Sequence, residues 1–136
     1  MDSAAQQLID RRRIWQEKYA IRACYRGWYE RMKPFIVPGR SVEVGAGSGD
    51  FRSFWPKLMT TDLVRVPWLD FVSDGMRLPL AEASLGNIVV IDLLHHLRDP
   101  HDFFREAERV LRPGGRVLAV EPYITPVSYL GYKLMH

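Results

Sequence analysis

The chain has 136 residues, 47% apolar and 26% charged, with a formal net charge of +3. This is enough for one ordinary globular domain with a real core, though short for an α/β enzyme. No stretch approaches the ~18 apolar residues of a membrane span, residues 1–7 lack the basic-then-apolar order of a signal peptide, and the single cysteine excludes an internal disulfide and predicts a reducing cytoplasm.

Residues 4–33 read as one or two helices. Leu8, Ile9, Trp15, Tyr19, Ala23 and Tyr29 recur mostly every three or four positions, Gly27 is the expected interruption, and Pro34 and Pro38 end the pattern. Cys24 falls in this segment and is expected to be a buried structural thiol. Residues 1–40 hold nine basic side chains against four acidic ones, whereas the remainder holds ten against twelve. The basic excess therefore belongs to the helical segment, and its simplest reading is a solvated helix face. A lid over an acidic substrate, peripheral contact with anionic lipid, or RNA binding are the sharper readings. RNA would require the basic surface to continue into the globular part; it does not, and no nucleic acid is expected.

After Pro38-Gly39, Ser41-Val42-Glu43-Val44 reads as a short strand running into Gly45-Ala46-Gly47-Ser48-Gly49-Asp50. Glycine at every second position admits positive φ and close approach of the backbone to a ligand. Strand, glycine turn and helix together bring nucleotide-like ligands to the carboxyl ends of α/β strands. A dinucleotide fingerprint would place its third glycine at position 50, where Asp50 opposes a pyrophosphate by charge. With Glu43 beside the turn, the loop suits a ligand without phosphates. A nicotinamide dehydrogenase is disfavoured on that ground. Residues 42–49 resemble motif I of the class I S-adenosylmethionine-dependent methyltransferases.

A short helix is predicted over 50–55, closed by Pro56, followed by a second strand over 57–63 with Asp62 near its end. One acceptor-only carboxylate at that point can hold both hydroxyls of a ribose; an exposed turn aspartate is the plainer alternative. A third strand over 69–73 ends in Asp74-Gly75-Met76, an ordinary turn by composition. The resemblance implies that Asp74 accepts from the adenine amino group and that the residues after it frame the ring.

Residues 86–92 form a nearly continuous apolar run, as expected of a central parallel strand. They deliver Leu93-Leu94-His95-His96-Leu97 to the same edge as the glycine loop. His95 or His96 there can orient a substrate or act as a general base, or fill a pocket wall. Adjacent histidines on an extended chain point apart, and no third ligand cluster is visible, so no metal site is expected. Asp99 and Pro100 open a helix packed through Phe103, Phe104, Ala107, Val110 and Leu111. Pro113-Gly114-Gly115 then leads into a fifth strand over 116–121, a loop with Pro122 and Pro126, and a last helix over 127–136. The order from the Leu-His-His run through Leu-Arg-Pro-Gly-Gly to this strand is similar to the small-molecule methyltransferases of the type 11 and quinone-biosynthesis kind.

The expectation is therefore an α/β, Rossmann-like three-layer sandwich with a parallel sheet in the order 3-2-1-4-5, comprising a helical segment over 1–40 and a cofactor-binding domain over 41–136. The resemblance implies S-adenosyl-L-methionine as cofactor, held by Glu43, Gly45, Ala46, Gly47, Gly49, Asp62, Leu63, Asp74, Gly75, Met76 and Asp92. Glu43 would order the loop. The implied reaction is methyl transfer to a small organic acceptor, with His95 or His96 as the base if one is used. A complete domain of this family has seven strands, and five are legible. Strand five is thus expected as an exposed edge that an oligomer or another chain would cover, and a truncated product or a non-catalytic S-adenosylmethionine-binding partner subunit is the alternative.

Overall fold

The computed structural model describes residues 3–123. Five strands form one sheet in the order β3-β2-β1-β4-β5, and every pairing is parallel. They are β1 (Ser41–Val44), β2 (Met59–Asp62), β3 (Phe71–Val72), β4 (Leu85–Ile91) and β5 (Leu111–Val120). The expected topology is the one found. β2 and β3 are shorter than their sequence patterns, and the helix expected over 127–136 lies outside the described residues. β5 meets β4 first at Leu111, bulges through Pro113-Gly114-Gly115, and pairs regularly from Arg116, opposite Asn87. Its other edge has no strand partner among the described residues.

Alternation along the strands sorts side chains into two cores. Val42, Val44, Ile88 and Val90 meet Phe103, Ala107 and Val110 of α3 (Pro100–Val110) on one face. Val89, Ile91 and Leu118 meet Phe51, Leu58 and Met32 on the other. Fully buried Phe51 and Phe103 contribute roughly 1.5–3 kcal/mol each. The buried residues of α3 sit at i, i+4 and i+7, so Phe104, expected in the stripe, is turned outward and 46% exposed. Asp99 caps α3 by accepting from His101 N at 2.9 Å, as expected.

The N-terminal segment forms α1 (Ser3–Glu17) and α2 (Tyr19–Met32). The break falls at Lys18, in extended backbone, and not at Gly27, which α2 runs through. A new helix phase begins there, which leaves Tyr19 exposed. Cys24 lies on the open side of α2 and is exposed, contrary to the buried thiol expected. Tyr25, Trp28 and Tyr29 pack against the second core, so α2 is one outer layer of the sandwich and α3 the other.

Candidate functional site at the carboxyl edge of the sheet

The chain leaves β1 through Gly45 and Gly47 at φ +72° and +49°. A Cβ on Gly45 would lie 2.6 Å from Leu93 Cδ1, so this turn requires glycine for both its conformation and its contact with the segment after β4. The N–H groups of Gly45 and Ala46 both donate to Thr61 O at 3.0 Å, and Gly47 N donates to Asp62 Oδ2 at 2.8 Å. Asp62 Oδ1 accepts from Val64 N at 3.0 Å. A carboxylate offers about four lone-pair positions, so Asp62 can fix the loop and still accept from a ligand. Leu63, next to it, is 69% exposed.

Beyond the loop stands one 3-10 turn, Phe51–Ser53, in place of the helix expected over 50–55. There is consequently no helix N-terminus to receive a pyrophosphate. This is a firmer argument against a dinucleotide than Asp50, whose carboxylate turns to Arg12 Nη2 at 3.2 Å. The Asp74–Met76 turn is closed by Met76 N donating to Asp74 Oδ1 at 2.9 Å. It is pressed onto β1, since a Cβ on Gly75 would come 2.5 Å from Val44 Cγ1. Met76 packs on the first core.

Glu43 is 3% exposed, and its carboxyl makes no hydrogen bond among the described residues. The loop is ordered by Thr61, Asp62 and the side chains described below. Burial pushes the Glu43 pKa up to about 8, reinforced by Asp50 and Asp62 and opposed by Arg52 and Arg12. Tyr25 of α2 stands over Gly49, where an added Cβ would meet its ring and hydroxyl at 3.2 Å. Burial, then the nearby charges of Glu43 and Asp92, raise the Tyr25 pKa to about 12. Asp92, just past β4, has φ +52°, an uncommon conformation outside glycine that concentrates at functional sites. Its carboxylate is exposed and unbonded among the described residues. Asp62 and Asp92, joined by Glu43 when it ionises, thus place acidic groups around a glycine turn, a lining that fits a cationic ligand with a ribose.

Leu94–His96 forms a 3-10 turn and not an extended chain, so the two imidazoles lie together, 4.0 Å between centroids. No group of three or more His, Cys, Asp or Glu side chains among the described residues could hold a metal. His95 Nδ1 is 2.7 Å from Glu121 Oε2, and Glu121 Oε1 accepts from Leu93 N at 2.9 Å and Leu94 N at 2.8 Å. Burial alone would raise the Glu121 pKa; the bonds from His95, Leu94 and Leu93 outweigh it and hold the carboxyl below its usual range. Glu121 ends the fifth strand expected from the sequence, where no local pattern marks this role. The signal available was register, because Ile91 pairs with Val120 and the next residues of both strands must emerge together.

Arg12 was missed as well. It belongs to the arginine run read as a solvated face, yet its side chain is 15% exposed. Arg12 Nη1 donates to Gly49 O at 2.5 Å, and its guanidinium lies 4.5 Å over the Trp68 ring. Trp68 Nε1 in turn donates to Gly47 O at 3.0 Å.

A family model described as a methyltransferase domain matches residues 42–119, more than half of the chain. Among curated proteins, the demethylmenaquinone methyltransferase of Streptomyces griseus is 38% identical over 58 residues, 42% of this chain and 25% of that protein. The 27-O-demethylrifamycin SV methyltransferase of Amycolatopsis mediterranei is 39% identical over 54 residues, 40% of this chain and 20% of that one. Both matches therefore span a quarter or less of the relatives' length. Among solved structures, a SAM-dependent methyltransferase of Thermotoga maritima superposes with a TM-score of 0.69 at 20% identity, over 82% of this chain and 58% of that one.

Proposed function

The chain belongs to the methyltransferase-domain family, in its class I S-adenosylmethionine-dependent form, and from that premise we propose that it transfers a methyl group from S-adenosylmethionine to a small organic acceptor. The observation that carries this reading is the carboxyl of Glu43, a residue 3% exposed that lies two positions before the first glycine of the turn and makes no hydrogen bond among the described residues. Burying a carboxyl without a partner is costly, and the cost is offset when a cationic ligand occupies the turn. In this reading the Glu43 and Asp92 carboxylates face the positive groups of the cofactor, and Gly45, Ala46, Gly47 and Gly49 let the backbone approach its amino-acid part. Asp62 accepts from the ribose hydroxyls, Leu63 and Met76 flank the adenine, and Asp74, in the turn that holds Gly75, accepts from the adenine amino group. When bound, S-adenosylmethionine supplies an already activated methyl on a sulfonium, so the protein's main task is alignment.

His95 is the residue placed to take a proton from the acceptor. Its Nδ1 faces Glu121, which orients the ring and stabilises the imidazolium, leaving Nε2 for the acceptor. His96, tilted against it, has no such carboxylate among the described residues and serves as pocket wall. The acceptor class agrees with the relatives, named for demethylmenaquinone and 27-O-demethylrifamycin SV. The same reading places the protein in the cytoplasm, with the edge of β5 that has no strand partner among the described residues as the surface a second chain would cover; no described helix is long and apolar enough to cross a membrane.

The test is calorimetric titration with S-adenosylhomocysteine, comparing the unmodified chain with Asp62→Asn and Asp62→Ala. A charge-assisted hydrogen bond contributes about 1.5–3 kcal/mol, so Asp62→Asn should weaken binding by about tenfold or more. Asp62→Ala, which also releases Gly47 N, should weaken it further. Absence of binding by the unmodified chain would end the reading.

A further inference from the structure

We infer that Arg12 and Trp68 are positioning residues for the cofactor, acting together through the two peptide groups of the glycine loop whose carbonyls they hold. The inference rests on the reading of that loop as the cofactor site. A trans peptide is planar, with its C=O and N–H pointing in opposite directions. Trp68 Nε1 holds Gly47 O at 3.0 Å and Arg12 Nη1 holds Gly49 O at 2.5 Å. These bonds turn Ser48 N–H away from the indole and Asp50 N–H away from the guanidinium. Gly45, Ala46, Gly47 and Gly49 spend their own N–H groups on Thr61, Asp62 and Ala46. Ser48 N and Asp50 N are the loop donors left unbonded among the described residues, a pair suited to a carboxylate such as that of the cofactor's amino-acid part.

Arg12 and Trp68 act as one unit, since the guanidinium is stacked on the indole at 4.5 Å and is also paired with Asp50. Neither neighbour in the run shares this arrangement. Arg11 is exposed, and the Arg13 guanidinium, 72% exposed, lies 3.8 Å from Asp10 within α1. Through Arg12 the placement of α1 is coupled to the loop, and by linkage a ligand that favours this loop geometry also favours the docking of α1.

The experiment is S-adenosylhomocysteine titration of the full chain and of Arg12→Lys, Arg12→Ala, Trp68→Phe and the Arg12→Ala/Trp68→Phe double variant, with the unliganded melting temperature of each. Trp68→Phe keeps an aromatic ring and removes the donor; Arg12→Lys keeps the charge toward Asp50 and loses the fork that reaches Gly49 O. Each single change should weaken binding about two- to tenfold, the range of one net hydrogen bond. The double variant should be little worse than the weaker single, as expected of a coupled pair. Arg12→Lys should regain the melting temperature lost in Arg12→Ala without regaining affinity, a separation that a purely structural role would not produce. Arg11→Ala should bind as the unmodified chain does. Unmodified affinity in both Trp68→Phe and Arg12→Ala would overturn the inference and leave the cofactor reading standing, and no binding by the unmodified chain would overturn both.

Discussion

The two halves of the carboxyl edge are held in different ways. Around the loop after β1, fastening is redundant: Thr61 O takes two N–H groups, Asp62 a third, and Trp68 and Arg12 hold the carbonyls. Around the turn after β4, Leu93 N, Leu94 N and the His95 ring converge on one carboxylate, Glu121, beside a strained Asp92. A loop fastened several times over should lose only part of its affinity to any one change. A turn that depends on one group should fail all at once when that group is changed. In the proposed reading this divides the labour between a rigid cofactor half and an acceptor half poised on a single ion pair.

The largest effects should therefore come from the second half. His95→Asn should lower turnover by about 100-fold or more, the lower range for a general base, with S-adenosylhomocysteine affinity within about twofold. Glu121→Gln keeps an oxygen for Leu93 N and Leu94 N and removes the charge behind His95, so its loss should be smaller and fall on kcat more than on KM. His96→Asn should be milder than either. A variant of His95 that turns over normally while binding the cofactor poorly would reverse the assignment of the two halves.

Gly45 is where the halves touch, and Gly45→Ala should strain both. Alanine at φ +72°, with its Cβ 2.6 Å from Leu93 Cδ1, should cost about 1–3 kcal/mol, lowering the melting temperature by roughly 5–10 °C. Adding Leu93→Ala removes the collision and leaves the backbone strain, so it should recover only part of the loss. Full recovery would mean that contact, and not conformation, makes glycine necessary there.

The fold was legible because its signals are local. Strand periodicity, the glycine turn, the Asp99-Pro100 helix start and the apolar run of β4 each announce themselves within a few residues, and parallel pairing follows from their order. The residues proposed for the cofactor side stand close to such signals: Glu43 adjoins the glycines, Asp62 closes β2 and Asp74 follows β3 by two residues. What was not legible depends on tertiary contacts. Arg12 lies 37 residues from the carbonyl it holds and is indistinguishable by composition from Arg11 and Arg13. Glu121 meets His95 only through the register of β4 with β5. The burial expected for Cys24 failed because the helix phase restarts at Lys18, an extended residue that no glycine or proline marks.

The ionisation of Glu43 in the cofactor half is read by its pH dependence. Glu43 has a folded pKa of about 8 against an ordinary 4.5, so between those values the native state keeps a proton that the unfolded chain releases. Stability should accordingly be greatest below pH 4.5 as far as this group is concerned, and fall as the pH rises toward 8. Glu43→Gln, neutral at every pH, should flatten that slope and be the more stable protein at pH 8. Binding runs the other way: a ligand with an ammonium group favours the ionised carboxyl, so S-adenosylhomocysteine should bind more tightly as pH rises toward 8 and should release a proton at pH 7. That proton is measurable as a binding enthalpy that changes with the ionisation heat of the buffer, and it should vanish in Glu43→Gln. If the buffer dependence survived the substitution, the titrating group would lie elsewhere, and the unbonded carboxyl before the glycine turn would no longer be the contact that reads the cofactor's charge.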